Sequence, residues 1–450
     1  MIHELDASIE VSTTAGDAFQ SDYSSVTGCT PLAVIWPKNH SECQAVMAWA
    51  NQTNTHIIVR GAGSGTTGGA IAEKPSVIVC LDKMNQIIDF DTNNATITVE
   101  PGVVLKQIHD LVESKGLFYP PDPASLAMCT IGGNVAENAG GPRALKYGVT
   151  RDYVIGLTGV WANGEPFYYG GKIKKNVAGY DLIGLLVGSE GTLGMITEIT
   201  LKLIPKPPVV MEAMSAFKSP QAAINALIKV MHAGIHPSTA EFMVASCVSA
   251  ALKYMNEPSK FKQSNAYIIW QLDGTTHDDV FEQLMQVKSM AQGDGWTPMD
   301  TEEMSDHVWA VRRNVSLGLK LMAGKKYSED IVVPMAVVPT VIDELAKLNH
   351  PSGIQVLGYG HLGDGNIHVN ILKMNASDTD WDRHAGEVIA QVMDLAVRHG
   401  GSISGEHGIG VTKKDFMPLV FSNHDVSIMR QIKAVVDPNQ LLNTGKIFNA

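Results

Sequence analysis

The strand-like run His56-Ile57-Ile58-Val59-Arg60 passes straight into Gly61-Ala62-Gly63-Ser64-Gly65-Thr66-Thr67-Gly68-Gly69, and the next apolar run, Ser76–Leu81, begins a few residues later. No other stretch restricts the fold so far. Its literal GxGxxG spacing suggests a dinucleotide turn, but that turn must open a helix inside a βαβ unit of about thirty residues. Between Gly69 and Ser76 there is no room for one. No GK[ST] follows, which excludes a P-loop. What remains is a glycine-rich turn between closely spaced strands, with backbone amides able to converge on an anion such as a pyrophosphate. The simpler alternative is a tight turn without a ligand, yet five glycines within Gly61–Gly69 exceed what a turn needs.

Two further glycine-rich stretches share the first half of the chain. PPDPASLAMCTIGGNVAENAGGPRALKYG runs from Pro120 to Gly148 and reads as long irregular backbone; Val187 to Gly194 reads VGSEGTLG. A loop as long as the former is usually functional. Three such turns suggest one extended ligand gripped mainly by backbone. Around them the pattern predicts strands at Ala33–Trp36, Thr96–Glu100, Val154–Val160 and Met195–Leu203, with helices at Ser41–Asn51 and Leu105–Lys115. The cluster Ile204-Pro205-Lys206-Pro207-Pro208 can continue neither a helix nor a central strand, and marks a domain boundary. Beyond it, strands such as Ala266–Asp273 and Ile354–His361 alternate with amphipathic stretches at Pro220–His232, Asp278–Ala291 and Asp378–Arg398. That texture predicts an α+β fold in which helices pack on an antiparallel sheet.

The 450 residues suffice for two or three domains, and 45% apolar with 18% charged residues is ordinary for a soluble enzyme. A net charge of −12 argues against nucleic acid as the main partner. The five cysteines are scattered without a CxxC pair, which suits reduced thiols in a cytoplasmic protein rather than a metal cluster or a disulfide scaffold. The opening MIHELDASIEVSTTAGDAF lacks the features of a signal peptide, and no run reaches the ~18 apolar residues of a membrane span, so any membrane contact is expected to be peripheral.

The segment GHLGDGNIHVN, Gly360 to Asn370, reads as a hairpin with Asp364-Gly365 at its tip. That register sets Leu362 opposite Ile367 and His361 opposite His368, with Asn370 on the same face. Two opposed imidazoles can share one ion; they can equally be surface or satisfied core histidines. Ser404-Gly405-Glu406-His407-Gly408 offers a third ligand, because a carboxylate in an otherwise uncharged stretch needs a partner. Two histidines and a carboxylate form a recognisable catalytic metal set.

RGAGSGTTGGA, PPDPAS…CTIGGNVAENAGGPRALKYG, KNVAGYDL and LLVGSEGTLGMITEITLKLIPKP together resemble the FAD-binding domain of the vanillyl-alcohol oxidase/p-cresol methylhydroxylase superfamily. The nearest branch is that of D-2-hydroxyacid dehydrogenases: glycolate oxidase flavoprotein subunits, D-lactate dehydrogenases and D-2-hydroxyglutarate dehydrogenases. The resemblance covers nearly the whole chain. It implies a two-domain α+β flavoprotein, with 1–206 completed by 421–450 binding FAD and 207–420 forming a substrate cap with a metal site. Arg60, Gly61, Ala62, Gly63, Ser64, Gly65, Thr66, Thr67, Gly68 and Gly69 would then hold the FAD pyrophosphate. Pro121, Asp122, Ser125, Thr130, Gly133, Asn134, Ala139, Gly140 and Gly141 would line the ribityl chain and isoalloxazine. Glu190, Gly194 and Ile196 would reach the adenosine half, and Asn443 would return to the flavin. Many members attach FAD covalently through a histidine in the first glycine loop; Ser64 and its neighbours offer none, so non-covalent FAD is expected.

In that branch HxGDGNxH and GEHG supply divalent-metal ligands, which here are His361, His368 and Glu406, with zinc the best match to N/O ligands and manganese or iron the alternatives. The implied reaction oxidises a D-2-hydroxy acid to the 2-oxo acid, with hydride passing to flavin N5. His407 is the candidate base, or else a group that orients Glu406. Arg312, in VWAVRRN, matches a substrate-carboxylate arginine of the family; Ser316 one turn later and Asn370 are further candidates, and Lys326 is an added cation. The electron acceptor would be a quinone, cytochrome, electron-transfer flavoprotein or iron–sulfur subunit, and a homodimer is one candidate assembly. Rival readings are a sugar or phenol oxidase of the same fold, and a non-catalytic flavoprotein assembly subunit.

Overall fold

The chain divides after Lys206, within the proline cluster, into two units in a computed structural model that describes residues 5, 8–14, 19–291 and 293–449. The first unit comprises Met1–Gly140, Gly148–Lys206 and Glu406–Ala450; the second comprises Gly141–Tyr147 and Pro207–Gly405.

In the first unit, Ala33–Trp36, Val77–Cys80 and Ile57–Arg60 form a parallel sheet edged by the antiparallel strand Glu10–Ser12. All four residues of Val77–Cys80 are buried, as a central parallel strand covered on both faces requires. A five-stranded antiparallel sheet runs in the order Ile87–Asp91, Thr96–Val99, Gly194–Lys202, Val154–Trp161, Pro166–Gly170. Helix His40–Thr53 is capped by Asn39, whose side chain accepts from the Glu42 amide. It buries Cys43, Val46, Met47, Trp49 and Ala50 in one core with Val77, Val160 and Met195, and so joins the two sheets.

The stretch expected as irregular backbone instead carries two short helices, Ile131–Glu137 and Ala144–Tyr147. Glycine disfavours helix by about 1 kcal/mol, but at Gly132 close packing decides: a Cβ there would sit 2.5 Å from Pro101 Cβ. The return to the first unit begins at Glu406, earlier than the 421 expected from the sequence. The reason is local. Thr67 O receives the amides of Val411 and Thr412, and the Glu190 carboxylate receives those of Ile409 and Gly410.

The second unit is a seven-stranded antiparallel sheet in the order Gly295–Pro298, Val209–Phe217, Ala266–Gly274, Thr239–Val244, Ile354–His361, Asn366–Lys373, Lys326–Val332. Helix Glu302–Ala323 and helix Ala245–Met255 cover one core, contributing Val308, Val311, Val315, Leu319, Cys247 and Val248. Ser219 and Ser377 cap Pro220–His232 and Asp378–Arg398 by accepting from the Ala222 and Asp380 amides.

The hairpin forms with a different register. His361 pairs with Asn366, Tyr359 with His368, and Leu357 with Asn370. The connection therefore contains four residues, Leu362 to Gly365, and only Gly365 among them takes a positive φ, +78°. Two contacts impose the wider loop: the Leu362 amide donates to Ala240 O, and Gly365 O accepts from the Val333 amide. A shift of two residues preserves the side-chain alternation, so His361, His368 and Asn370 still share a face.

Candidate active site

Four adjacent strands of the second unit, Thr239–Val244, Ile354–His361, Asn366–Lys373 and Lys326–Val332, present one polar face. In register, Glu241 opposes His361 and His361 opposes Asn366; Tyr359 opposes His368 and His368 opposes Asp330. The two histidines stand diagonally, yet their Nε2 atoms are 3.3 Å apart. Metal–nitrogen bonds of ~2.0–2.1 Å at a tetrahedral angle place two ligand nitrogens about 3.3 Å apart. An N–H···N hydrogen bond fits that spacing too, but the surrounding charge favours a cation: Glu241 and Asp330 are both wholly buried. An Asp330 oxygen and a His368 ring nitrogen lie within 4.8 Å. Asp330 also accepts from Ser404 Oγ at 3.0 Å and from the Gly405 amide at 2.8 Å, which fixes the chain one residue before Glu406.

Beside the histidines lie the residues expected to meet an anionic substrate. Arg312, on helix Glu302–Ala323, donates to Glu241 through Nε at 2.6 Å and stands over the Tyr359 ring at 4.9 Å. Lys326 Nζ donates to Ser316 Oγ at 2.7 Å and to Asn370 Oδ1 at 2.8 Å. Burial, followed by the repulsion of Lys320, pulls the Lys326 ammonium down to about 8 against a smaller opposing effect of Cys247. Glu241 and Asp330 escaped the sequence reading. The available signal was carboxylates set in apolar strand sequence, one in Thr-Ala-Glu-Phe-Met-Val and an adjacent pair in Glu-Asp-Ile-Val-Val, since a buried charge demands partners.

In the first unit the glycine loop runs along helix Ile131–Glu137. A Cβ on Gly61 would meet Thr130 Oγ1 at 2.5 Å, one on Gly69 would meet Glu137 Oε1 at 3.3 Å, and Gly65 between them faces open space. Thr130 Oγ1, Asn134 Nδ2 and Glu137 Oε2 are buried without a protein partner, at i, i+4 and i+7 on one helix face. Leaving a buried polar atom unmade costs about 1–3 kcal/mol, so three in a row beside a glycine cradle fit a polar, elongated ligand such as FAD. Burial raises the Glu137 carboxyl well above its usual range, and the charges of Glu190 and Asp22 push it the same way.

Other expected cofactor residues act on the loop itself. Arg60 donates to Ala70 O and Ser21 O, and Gly63, with φ +70°, has no space for a Cβ beside that guanidinium. Asn443 accepts from the Val59 amide at 2.8 Å and donates to Glu190 O at 2.9 Å, so its side chain ties strand to turn. Lys446, absent from the sequence reading, is buried and donates to Gly68 O at 2.6 Å and Ile71 O at 2.7 Å. Gly194 and Ile196 lie on strand Gly194–Lys202, Ser125 in the turn that receives the Cys129 amide, and Gly140 against Glu406, whose Oε2 is 3.1 Å from where its Cβ would stand. His109 Nε2 contacts Pro121 O. His407 Nε2 lies 3.5 Å from Glu406 Oε1, and His407 O accepts from Thr67 Oγ1 at 3.2 Å.

The first unit thus carries a glycine cradle beside orphaned polar atoms, as a nucleotide cofactor requires, and the second a polar sheet face with two apposed histidines. Residues 31–167 match the FAD binding domain family, and residues 206–447 match the family described as FAD linked oxidases, C-terminal domain. The chain belongs to the FAD-linked oxidases, and FAD is its cofactor. It is 34% identical over 423 residues to the glycolate oxidase subunit GlcD of Bacillus subtilis, covering 93% of this chain and 89% of that one. It is 31% identical over 466 residues to the D-2-hydroxyglutarate dehydrogenase of Stutzerimonas stutzeri, covering 100% and 99%. Against the D-lactate dehydrogenase of Anaerostipes hadrus the identity is 33% over 425 residues, covering 93% and 89%. Its fold is that of p-cresol methylhydroxylase, with a TM-score of 0.77 at 18% identity over 95% of this chain and 91% of that one. The expected family and two-domain fold are thus borne out. Among the described residues no helix is long and apolar enough to cross a membrane.

Proposed function

We propose that this protein oxidises a D-2-hydroxy acid to the 2-oxo acid, with non-covalent FAD and one divalent metal, zinc in the first instance, held by His361, His368 and Glu406. The observation that carries the reading is the 3.3 Å approach of the two histidine Nε2 atoms on a sheet face that also bears Lys326 and whose Glu241 is met by Arg312 from helix Glu302–Ala323. FAD supplies a hydride acceptor at its N5. A divalent ion held by these residues would lower the pKa of a hydroxyl bound to it.

The chain's own residues do the rest. Arg312 and Lys326 supply the positive charge that an anionic substrate requires in a chain of net charge −12. Ser316 and Asn370, already bonded to Lys326, orient the carboxylate and hydroxyl, and that orientation removes much of the entropic barrier. His407 takes the hydroxyl proton at a ring nitrogen, since imidazole titrates near neutral pH. Thr130, Asn134 and Glu137 hydrogen-bond the flavin cofactor. The relatives named for glycolate, D-lactate and D-2-hydroxyglutarate support this substrate class. The reduced flavin is reoxidised by a quinone, cytochrome, electron-transfer flavoprotein or iron–sulfur partner, and the setting is cytoplasmic, peripheral to a membrane where the acceptor is a quinone.

Metal and flavin content of purified protein tests this reading. Wild type should hold one FAD and one divalent ion per chain, and His368→Ala should keep FAD and lose the ion. Full metal occupancy in His368→Ala would refute the ligand set.

A further inference from the structure

Glu241 lies in the middle of the apolar strand Thr239–Val244 and has no exposed surface. Such a carboxylate survives in a core only with strong partners. It has two, one on each oxygen. Oε1 meets Nδ1 of His361, its cross-strand neighbour, at 2.5 Å. Oε2 accepts from Arg312 Nε at 2.6 Å and Nη2 at 2.5 Å, while the guanidinium carbon stands 4.9 Å from the centre of the Tyr359 ring.

The position of Glu241 settles which His361 nitrogen is available. A carboxylate at Nδ1 keeps the ring proton there and leaves the lone pair on Nε2, the atom that faces His368. The same carboxylate takes Arg312 by Nε and one terminal nitrogen, which fixes the plane of the guanidinium.

We propose that Glu241 is a positioning residue shared by both sides of the reaction centre. It selects the His361 tautomer that binds metal and sets the orientation of Arg312 toward the substrate anion. The first of these roles rests on the metal-site reading above.

The test is a zinc titration of FAD-loaded, metal-stripped protein against a chromophoric chelator. Wild type, Glu241→Gln, Arg312→Gln, the Glu241→Gln/Arg312→Gln double variant and His368→Ala are compared, with FAD content measured for each. Glu241→Gln should bind zinc about 10–100-fold more weakly with FAD content unchanged, the usual effect of losing a carboxylate behind a histidine ligand. Because it strands a buried arginine, that variant can fail to fold. The double variant removes the charge pair together and should fold with the same zinc defect. Arg312→Gln should keep wild-type zinc affinity, since the contact between Glu241 and His361 remains. Wild-type zinc affinity in the double variant would overturn the proposal while leaving the metal site standing. Zinc binding that is equally absent from wild type and His368→Ala would overturn the metal reading and the proposal with it.

Discussion

His361 and His368 are diagonal rather than opposed across their strand pair, yet their Nε2 atoms approach to 3.3 Å with the rings at 84°. That separation is the one two nitrogens take around a single tetrahedral ion. Removing one of them should therefore separate metal from flavin. In His368→Ala, the flavin absorbance should persist and turnover should fall about 1000-fold, the scale of several kcal/mol of charge stabilisation. Steady-state rates measured alongside metal analysis check this; near-normal turnover in metal-free protein would contradict it.

His407 follows Glu406 in a segment tied to the glycine loop through Thr67. His407→Ala should retain FAD and metal and slow flavin reduction about 10²–10⁴-fold, the usual contribution of a positioned base. Stopped-flow traces at saturating substrate measure this directly. An unchanged reduction rate would reduce His407 to an orienting group for Glu406.

Lys326 adds a pH dependence whose sign can be worked out. Its folded pKa, about 8, lies below the ordinary 10.5. Between those values the unfolded chain binds the proton that the folded one has released. Stability from this group therefore rises with pH across that window and is lost as pH falls through about 8. Substrate binding follows the opposite course, because only the ammonium attracts an anion. KM should climb above pH 8 with little change in kcat, and Lys326→Met should flatten that limb of the profile. A wild-type KM that stays constant to pH 9.5 would exclude Lys326 from the pocket.

The three orphaned polar atoms on helix Ile131–Glu137 predict cofactor affinity. Asn134→Ala and Glu137→Ala should each weaken FAD about 3–10-fold, equivalent to one net hydrogen bond of about 0.5–1.5 kcal/mol. Fluorescence release of FAD on dilution measures this. Tighter or unchanged retention in both variants would mean that the helix face does not meet the cofactor.

Much of the fold was legible because local rules agreed with tertiary packing. Ile354–His361, Pro220–His232 and Asp378–Arg398 begin and end where alternation, amphipathic period and serine caps place them. The failures have one common cause, a contact distant in sequence. Nothing near Leu362 announces that its amide will bond to Ala240, yet that bond widens the turn and shifts the histidine register. Gly132 reads as a loop residue until Pro101 supplies a surface that only glycine can approach. Glu241 lies 120 residues from His361, so its role in the site waits on sheet order. The glycine loop itself was easier to read, since too short a gap before the next strand excluded the Rossmann turn and left a cofactor cradle.

Anaerobic flavin bleaching by a panel of D- and L-2-hydroxy acids, before and after metal removal and again after zinc is restored, bears most directly on metal-assisted oxidation. The account predicts rapid bleaching by at least one D-acid, its loss in stripped protein, and its recovery with zinc. Bleaching that survives complete metal removal, or that occurs only with L-acids, would contradict it.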